Sequence, residues 1–235
     1  MTRRTEYALG TVVTLEAVPD GRAVARALRQ AGTGLRRADE VFSVWKPDSP
    51  ISRLRRDEQS LAHSPPEIAE VLGRCAEARR LTGGWYDPWA GPDGVDPTDL
   101  ARGWAVGQAL GRLRAGGATA ALVTAGDMAT GFGRPAPDRS WQVLAQGMLV
   151  SLDGLPAGAV ATVVDDRSGT RATVVGPEPG LTSALAIALR SSGPVGLDVV
   201  DGVAGYGAVV VDDRGRWRAS RLVVSNRRTV RLTAA

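Results

Sequence analysis

The chain is predicted to be an α+β protein, and three observations predict it. Helical apolar spacing dominates the first half, whereas short β-branched runs dominate the second. Strand and helix patterns do not alternate as a doubly wound parallel sheet requires. Finally, 235 residues with 43% hydrophobic content supply a core, and no linker is long or polar enough to divide it. Residues 1–235 are therefore read as a single domain.

Glu6 to Val18 reads as a strand, with Thr11, Val12, Val13 and Thr14 between Gly10 and the Pro19-Asp20-Gly21 turn. From Ala23 to Val41 the spacing is helical, through Val24, Leu28, Leu35, Ala38 and Val41. Ser43 to Asp57 is polar and broken by proline, so it is expected to be a loop with a short turn at residues 52–54. Pro65-Pro66 opens a helix whose apolar face carries Ile68, Val71, Leu72, Cys75 and Ala78, and Gly83-Gly84 stops it. Gly83 to Asp99 is dense in Gly, Pro and Asp, the composition of a shaped binding loop. A helix is expected from Leu100 to Ala115, ended by Gly116-Gly117. A buried strand follows at Thr119 to Thr124, then a tight turn at Ala125-Gly126-Asp127. Strands are predicted at residues 141–145, 147–152, 159–164 and 171–175, and a helix at Leu181 to Arg190. Strands at 207–212, 217–224 and 229–232 complete the reading.

Composition removes several functional classes. All basic residues but Lys46 are arginine, and with abundant Ala, Gly and Val this resembles the codon bias of a GC-rich genome. The net charge is +4, and the high pI follows from arginine being always charged. Basic clusters are scattered and aromatics do not interleave with them, so nucleic-acid binding is not expected. No run approaches the length of a membrane helix, and residues 7–18 lack the apolar core of a signal peptide, so a cytoplasmic protein is expected, without a membrane partner. One Cys and one His exclude a disulfide scaffold and a Cys/His zinc cage. His63 is read as a surface residue before a helix, and Cys75 as a packed thiol. Lys46 has no Walker A setting, and Gly205-Tyr206-Gly207 is read as a strand-entry turn because a strand follows it.

What remains is carboxylate, arginine and backbone chemistry. Asp127 follows a small-residue turn where backbone N–H groups are free to meet an anion. Asp87, Asp96 and Asp99 border the Gly/Pro-rich loop, where Asp-Pro pairs are also ordinary turn formers. Arg102 stands near the positive end of the helix that starts at Leu100, a place that suits either a phosphate ligand or a solvated arginine.

At this point the residues resemble a family. Residues 96–109, Asp-Pro-Thr-Asp-Leu-Ala-Arg-Gly-Trp-Ala-Val-Gly-Gln-Ala, look like the signature of the ApbE family, the FAD:protein FMN transferases. Leu9-Gly10-Thr11 resembles the family's opening Met-Gly-Thr. Residues 43–54, with Ser43, Trp45, Ser49, Ser52 and Leu54, resemble its Ser-x-Tyr…Ser-x-Leu-x-x-Leu segment. Gly84-Trp85-Tyr86-Asp87-Pro88 resembles Gly-x-Phe-Asp-Pro, Ala125-Gly126-Asp127 stands where the family has Gly-Gly-Asp, and residues 181–189 resemble its late helix.

The resemblance implies a single α+β domain whose antiparallel sheets and helices flank a flavin-nucleotide cleft. It implies FAD as the bound nucleotide, Mg²⁺ on its pyrophosphate, and transfer of FMN to a Thr or Ser of an acceptor flavoprotein. In such metal-assisted chemistry a cation neutralises the pyrophosphate while a base helps the hydroxyl attack. Carried over by position, Gly10, Thr11, Ser43, Trp45, Ser52, Tyr86, Asp87, Thr98, Arg102, Gly103, Ala125 and Gly126 are the expected cofactor-binding residues. Asp127, Asp165 and Thr162 are the expected catalytic ones.

Departures fall on the metal site. The family's metal-binding Asp and Thr fall on Ser183 and Ile187; a neutral hydroxyl is a poor Mg²⁺ ligand and Ile is none. The family's His-x-x-Asp-Pro falls on Thr162 to Asp166 without its His, and its Lys is Arg102. Ala125 adds a methyl group where backbone is expected to approach the cofactor. Two functional readings follow. In the first, the chain binds FAD or a related nucleotide while standard Mg²⁺-dependent transfer is impaired and the cleft serves another small-molecule reaction. In the second, it is an active FMN transferase whose metal site is rearranged around Asp127, Asp165 or Asp166. The basic residues Arg53, Arg55, Arg56 and Arg102 suit an anionic ligand under both.

Overall fold

The structure is a computed structural model that describes residues 1–145, 148–152, 158–225 and 230–232. Its strands are β1 (Thr2–Ala8), β2 (Thr11–Val18), β3 (Ala120–Ala125), β4 (Met128–Phe132), β5 (Gln142–Ala145), β6 (Met148–Ser151), β7 (Gly158–Val164), β8 (Arg171–Gly176), β9 (Gly207–Val211), β10 (Trp217–Ala219) and β11 (Val230–Leu232). Its α-helices are α1 (Arg22–Phe42), α2 (Pro50–Arg55), α3 (Pro66–Leu81), α4 (Thr98–Ala115), α5 (Pro179–Ser192), α6 (Leu197–Asp201) and α7 (Arg221–Ser225).

An eight-stranded sheet in the order β1-β2-β3-β4-β7-β8-β9-β10 forms the middle layer, antiparallel at every pairing. Helices α1, α4 and α5 cover one face in that order, α1 on the β1–β2 hairpin, α4 on β3 and β4, and α5 on β7 and β8. The main core lies there, filled by Leu15, Leu28, Leu35, Leu113, Leu185 and Leu189, all nearly inaccessible to solvent. The opposite face carries the small sheet β11-β6-β5, and a second apolar cluster with Trp141, Val150, Leu152 and Val160 fills the gap. This is the α+β arrangement of antiparallel sheets with helices packed on them that the sequence predicts. Among the described residues no helix is long and apolar enough to cross a membrane.

Several elements differ from expectation, each for a local reason. The strand expected over residues 6–18 is a hairpin, because Leu9 and Gly10 both take positive φ (58° and 73°) and fold the chain back on itself. Two successive residues at positive φ match the right-handed twist of paired strands. The polar segment after α1 contains a real helix, α2. Ser49 caps it by accepting the Ser52 N–H at 3.1 Å, and Pro50 occupies its first turn. Strand β4 passes unread because its Met-Ala-Thr-Gly-Phe sequence lacks β-branched density, yet it is wholly buried between β3 and β7. The strand expected at residues 217–224 stops at Ala219 and the helix α7 follows. Two predicted strand ends, Gly147 and Thr229, lie outside the described residues.

The sheet register decides where chemistry gathers. The turns at residues 9–10, 126–127, 165–170 and 212–216 all fall on one edge of the large sheet. Helix α1 ends at that edge, α4 begins there, and α5 runs back toward it from the far end of β8. Of the elements at this edge, the C-terminal end of α1, the N-terminal end of α4 and the hairpin tips at residues 9–10 and 126–127 meet one another.

Candidate active site

Asp39, on the last turns of α1, organises this corner. Its carboxylate accepts the Leu9 N–H at 2.8 Å, which steadies the hairpin tip where Leu9 sits at positive φ, and it also pairs with Lys46. Between these elements opens a cavity of about 430 Å³ whose wall includes Leu9, Phe42, Ser43, Trp45, Thr98 and Arg102. Val44 and Trp45 also border a second hollow of about 610 Å³, closed by Ser52, Arg55 and the loop at residues 92–96. Together they form one groove with an apolar end and a polar end. Trp45 stands on their shared border with 89% of its surface exposed.

At the mouth of the groove Arg102 Nη1 lies 3.7 Å from Asp127 Oδ1. Arg102 is mostly covered (24% exposed), and its Nε is buried without a hydrogen-bond partner. A buried N–H without an acceptor carries its full desolvation cost, so this nitrogen is a donor suited to an incoming anion. Asp127 is 46% exposed, and burial of its surroundings still raises its pKa above 3.8 against the opposing pull of Arg102. Asp99, one turn before Arg102 on α4, has a raised pKa for the same reason. Burial is the chief cause; Arg102 and Arg190 oppose it, while Asp96 and Asp127 add to it. Asp99, Arg102, Asp127 and Arg190 thus form one electrostatic group.

The structure brings part of the expected set to this groove. Gly10, Ser43, Trp45, Ser52, Thr98 and Arg102 line it, and Thr11 meets Gly126 where the two hairpin tips touch. Ser52 contributes mainly as a strut, its hydroxyl donating to the Ser43 and Val44 carbonyls at 3.3 and 3.4 Å. Other expected residues are placed elsewhere. Tyr86 is 3% exposed and faces Cys75 in the core, with Oη 3.5 Å from Sγ. Gly103 makes the α4–α5 crossing, where an added Cβ would lie 2.5 Å from the Pro179 carbonyl oxygen. The Ala125 methyl is buried in the main core. Asp87 closes its own turn by accepting the Trp89 N–H at 3.0 Å and pairs with Arg79 at 2.7 Å.

Of the expected catalytic residues, Asp127 alone lies against a groove-lining residue, Arg102, and none of the three lines the groove itself. Thr162 is its neighbour through the backbone, its N–H donating to the Asp127 carbonyl at 3.1 Å, but its hydroxyl is buried against that of Thr173 at 2.9 Å. Asp165 sits three residues further along, roughly 10 Å at strand spacing. Its carboxylate closes the turn after β7 by accepting from Ser168 and from the Arg167 N–H. Arg55 and Arg56 are held by local partners, Arg55 on the Asp93 carbonyl and Arg56 on Glu58, and Arg53 points to solvent. The expected surface His63 and buried Cys75 are where the sequence puts them, and burial pushes the Cys75 thiol up to about 11.

The family's Mg²⁺ does not fit the residues present at the late helix. Ser183 is buried, Ile187 offers no donor, and among the described residues no group of three Asp, Glu, His or Cys side chains is arranged to hold a metal ion. Sequence reasoning missed Asp39, Asp99 as part of the charge group, and Arg190. Asp39 carries no local signal because it stands among other polar residues on its helix.

The ApbE family model matches residues 9–93, which include the hairpin tip, α1, α2, α3, most of the loop that follows it and part of the groove wall, but not Thr98, Ala101 or Arg102. No curated relative matches the chain by sequence. Among solved structures, the apo flavinyl transferase ApbE of Pseudomonas stutzeri superposes with a TM-score of 0.79 at 18% identity, covering 95% of this chain and 96% of that one. The H257G mutant of the flavin transferase ApbE from Vibrio cholerae gives 0.77 at 16% identity, covering 94% and 97%. The ApbE protein of Thermotoga maritima gives 0.77 at 16%, covering 95% and 98%. The resemblance is therefore one of both sequence and fold: residues 9–93 match the ApbE family, and the architecture as a whole is that of ApbE proteins.

Proposed function

We propose that the chain binds FAD or a closely related flavin nucleotide in the groove at the turn edge, and that Mg²⁺-dependent FMN transfer of the family type is impaired in it. The observation that carries this reading is the Arg102 Nε, a buried donor without an acceptor at the groove mouth. A phosphate oxygen is the acceptor that a guanidinium takes most readily. The apolar end of the groove, walled by Phe42, Ala101 and the Trp45 ring, suits a planar ring system, which leaves the phosphates near Arg102. Impairment rests on α5, where Ser183 and Ile187 offer no charged oxygen to a hard cation. The emptied cleft is then free for another small-molecule reaction, and the cytoplasmic setting is part of the same proposal.

One observation favours a second reading, an active transferase that attaches FMN to a Thr or Ser of an acceptor flavoprotein. Asp127 stands 3.7 Å from the groove residue Arg102, and its raised pKa makes the ionised carboxylate a better base toward an incoming hydroxyl. Purified protein separates the two. Flavin absorbance, or stabilisation by added FAD, together with FMN transfer to an acceptor domain in Mg²⁺, supports the second reading. Binding without transfer supports the first. A colourless protein that FAD does not stabilise counts against both.

A further inference from the structure

We propose that Lys46 is a phosphate ligand of the groove, held by Asp39 in the free protein and exchanging that carboxylate for a phosphate of the bound nucleotide. The proposal rests on the flavin reading above and names a second cation for the same site.

Lys46 and Arg102 wall the same cavity, Lys46 from the loop after α1 and Arg102 from the first turns of α4, and Asp39 is the one carboxylate on that wall. The Lys46 backbone is fixed in a turn. Its N–H donates to the Ser43 carbonyl at 3.4 Å, and its carbonyl accepts the Ser49 N–H at 3.1 Å. Its ammonium pairs with Asp39. An ammonium has three N–H donors, and among the described residues Asp39 is its one partner. Two donors are therefore left for a ligand. The arginines of the neighbouring hollow are more fully engaged, Arg55 with the Asp93 carbonyl and Arg56 with both Glu58 and the Pro47 carbonyl.

The way Asp39 is bound lets the exchange cost little. Its Oδ1 accepts the Leu9 N–H at 2.8 Å, whereas its Oδ2 holds Lys46. Lys46 can leave without releasing the hairpin tip. The Lys46 side chain is 50% exposed, and an ion pair that water reaches contributes little. A phosphate brings several acceptor oxygens, and a lysine on its flexible stem is a point charge that can swing from one anion to another. Arg102 complements it with a buried Nε that lacks an acceptor. A pyrophosphate thus meets two cations carried by two different elements of one cavity. In the rival account Lys46 and Asp39 form an ordinary surface pair that no ligand disturbs. Neutralising Asp39 distinguishes the two.

The test is calorimetric titration of the full chain with FAD and with riboflavin, which has no phosphate. Lys46→Met should lose FAD affinity on the order of tenfold and keep its riboflavin affinity, and Lys46→Arg should retain part of the FAD affinity. Asp39→Asn keeps an acceptor for the Leu9 N–H but removes the competing charge. It should bind FAD more tightly, and the gain should vanish when Lys46→Met is added. Because Lys46 is the only lysine, acylation of amines followed by mass spectrometry reads it directly, with the N-terminal amine beside Asp20 as internal standard. Saturating FAD should slow labelling of Lys46 and leave the N-terminus unaffected. FAD binding that Lys46→Met leaves unchanged, riboflavin binding that falls in step with it, an Asp39→Asn gain that persists without Lys46, or labelling that FAD does not slow would overturn the inference while leaving the flavin reading intact. No FAD binding by the native protein would overturn the flavin reading and this inference with it. Unfolding midpoints of the free Lys46 variants, expected to match the native protein, show that any loss is not one of folding.

Discussion

Arg102 and Asp127 face each other at 3.7 Å across the mouth of the groove, one from the first turns of α4 and the other from the β3–β4 turn. The separation is longer than a direct charge-assisted hydrogen bond. The two charges attract without closing on each other, and the buried Nε of Arg102 stays without an acceptor. A pair held in this way is poised to admit a third, anionic group.

Replacing Arg102 tests that relationship. Arg102→Ala should weaken FAD binding by about tenfold or more, the worth of a hydrogen bond to a charged group. Arg102→Lys should recover part of the loss, since charge survives but the planar fork does not. Because Arg102 opposes the upward shift of Asp127, its removal should also move the Asp127 pKa further up. Titration calorimetry and carboxyl NMR titration read the two effects. A variant that binds FAD as the native protein does would remove Arg102 from the site.

The wall of the groove depends on a small polar strut that can be tested separately. The Ser49 hydroxyl donates to the Ser43 carbonyl at 2.7 Å and accepts the Ser52 N–H at 3.1 Å, tying the start of α2 to the end of α1. Ser49→Ala should cost about 1 kcal/mol, the usual worth of an N-cap. It should also loosen Val44 and Trp45, which sit on that backbone. Denaturant unfolding measures the first effect and the spectral sensitivity of Trp45 to added FAD the second. An unchanged unfolding midpoint would show that the cap carries no load.

The α4–α5 crossing was legible as a motif but not as a contact. Residues 96–109 signal a helix start and a resemblance that makes Gly103 an expected cofactor position. Its lack of a side chain permits the close approach of Pro179 and Gly180, a contact the motif does not show. The same limit explains Tyr86 and Ala125. A motif shows which residues belong together, whereas burial depends on which face of an element meets a neighbour distant in sequence. Asp127 was readable because a small-residue turn after a buried strand has only one place to go, the sheet edge. Asp39 is not, since it joins the site only through the packing of α1 against the hairpin tip, which no local pattern records. Strand β4 was lost for a different reason: its composition is poor in strand formers, and its position between β3 and β7 overrides that weakness.

Gly103→Ala accordingly should destabilise without entering the groove. The new methyl would lie 2.5 Å from the Pro179 carbonyl oxygen and 2.7 Å from Gly180 backbone atoms, so the helices must separate. Overpacking of this kind costs about 1–3 kcal/mol. A lower unfolding midpoint in denaturant is the expected result. A neutral outcome would mean that the crossing is looser than the contact implies.

The carboxylates of the charge group set a pH dependence whose sign follows from burial. Asp99 and Asp127 have folded-state pKa values raised above 3.8. As pH rises from that value through the raised ones, the folded state holds more protons than the unfolded state. Stability from these two groups is therefore present at low pH and lost as they ionise. Asp99→Asn removes one such group, so its midpoint relative to the native protein should improve as pH climbs from about 4 to 7. Thermal unfolding at the two pH values measures the difference. A relative midpoint that falls over that interval would show that Arg102 and Arg190 outweigh the burial.

The last prediction returns a metal seat to α5. Ser183→Asp with Ile187→Thr places a carboxylate and a hydroxyl one turn apart on the face that ends at Arg190, the hard oxygen donors that Mg²⁺ prefers. If the missing ligands are what impairs transfer, Mg²⁺ should raise the melting temperature of the double variant but not of the native chain. FMN transfer to an acceptor domain should appear or increase in parallel. The carboxylate enters a buried position and costs stability while the metal is absent. The free double variant should therefore melt lower than the native protein and recover in Mg²⁺. A variant that gains Mg²⁺ stabilisation without transfer would place the defect at the Thr162 position, where an imidazole is absent and the hydroxyl is committed to Thr173. A variant indifferent to Mg²⁺ would show that residues 183 and 187 do not face the groove, and the missing ligands would not account for any loss of transfer.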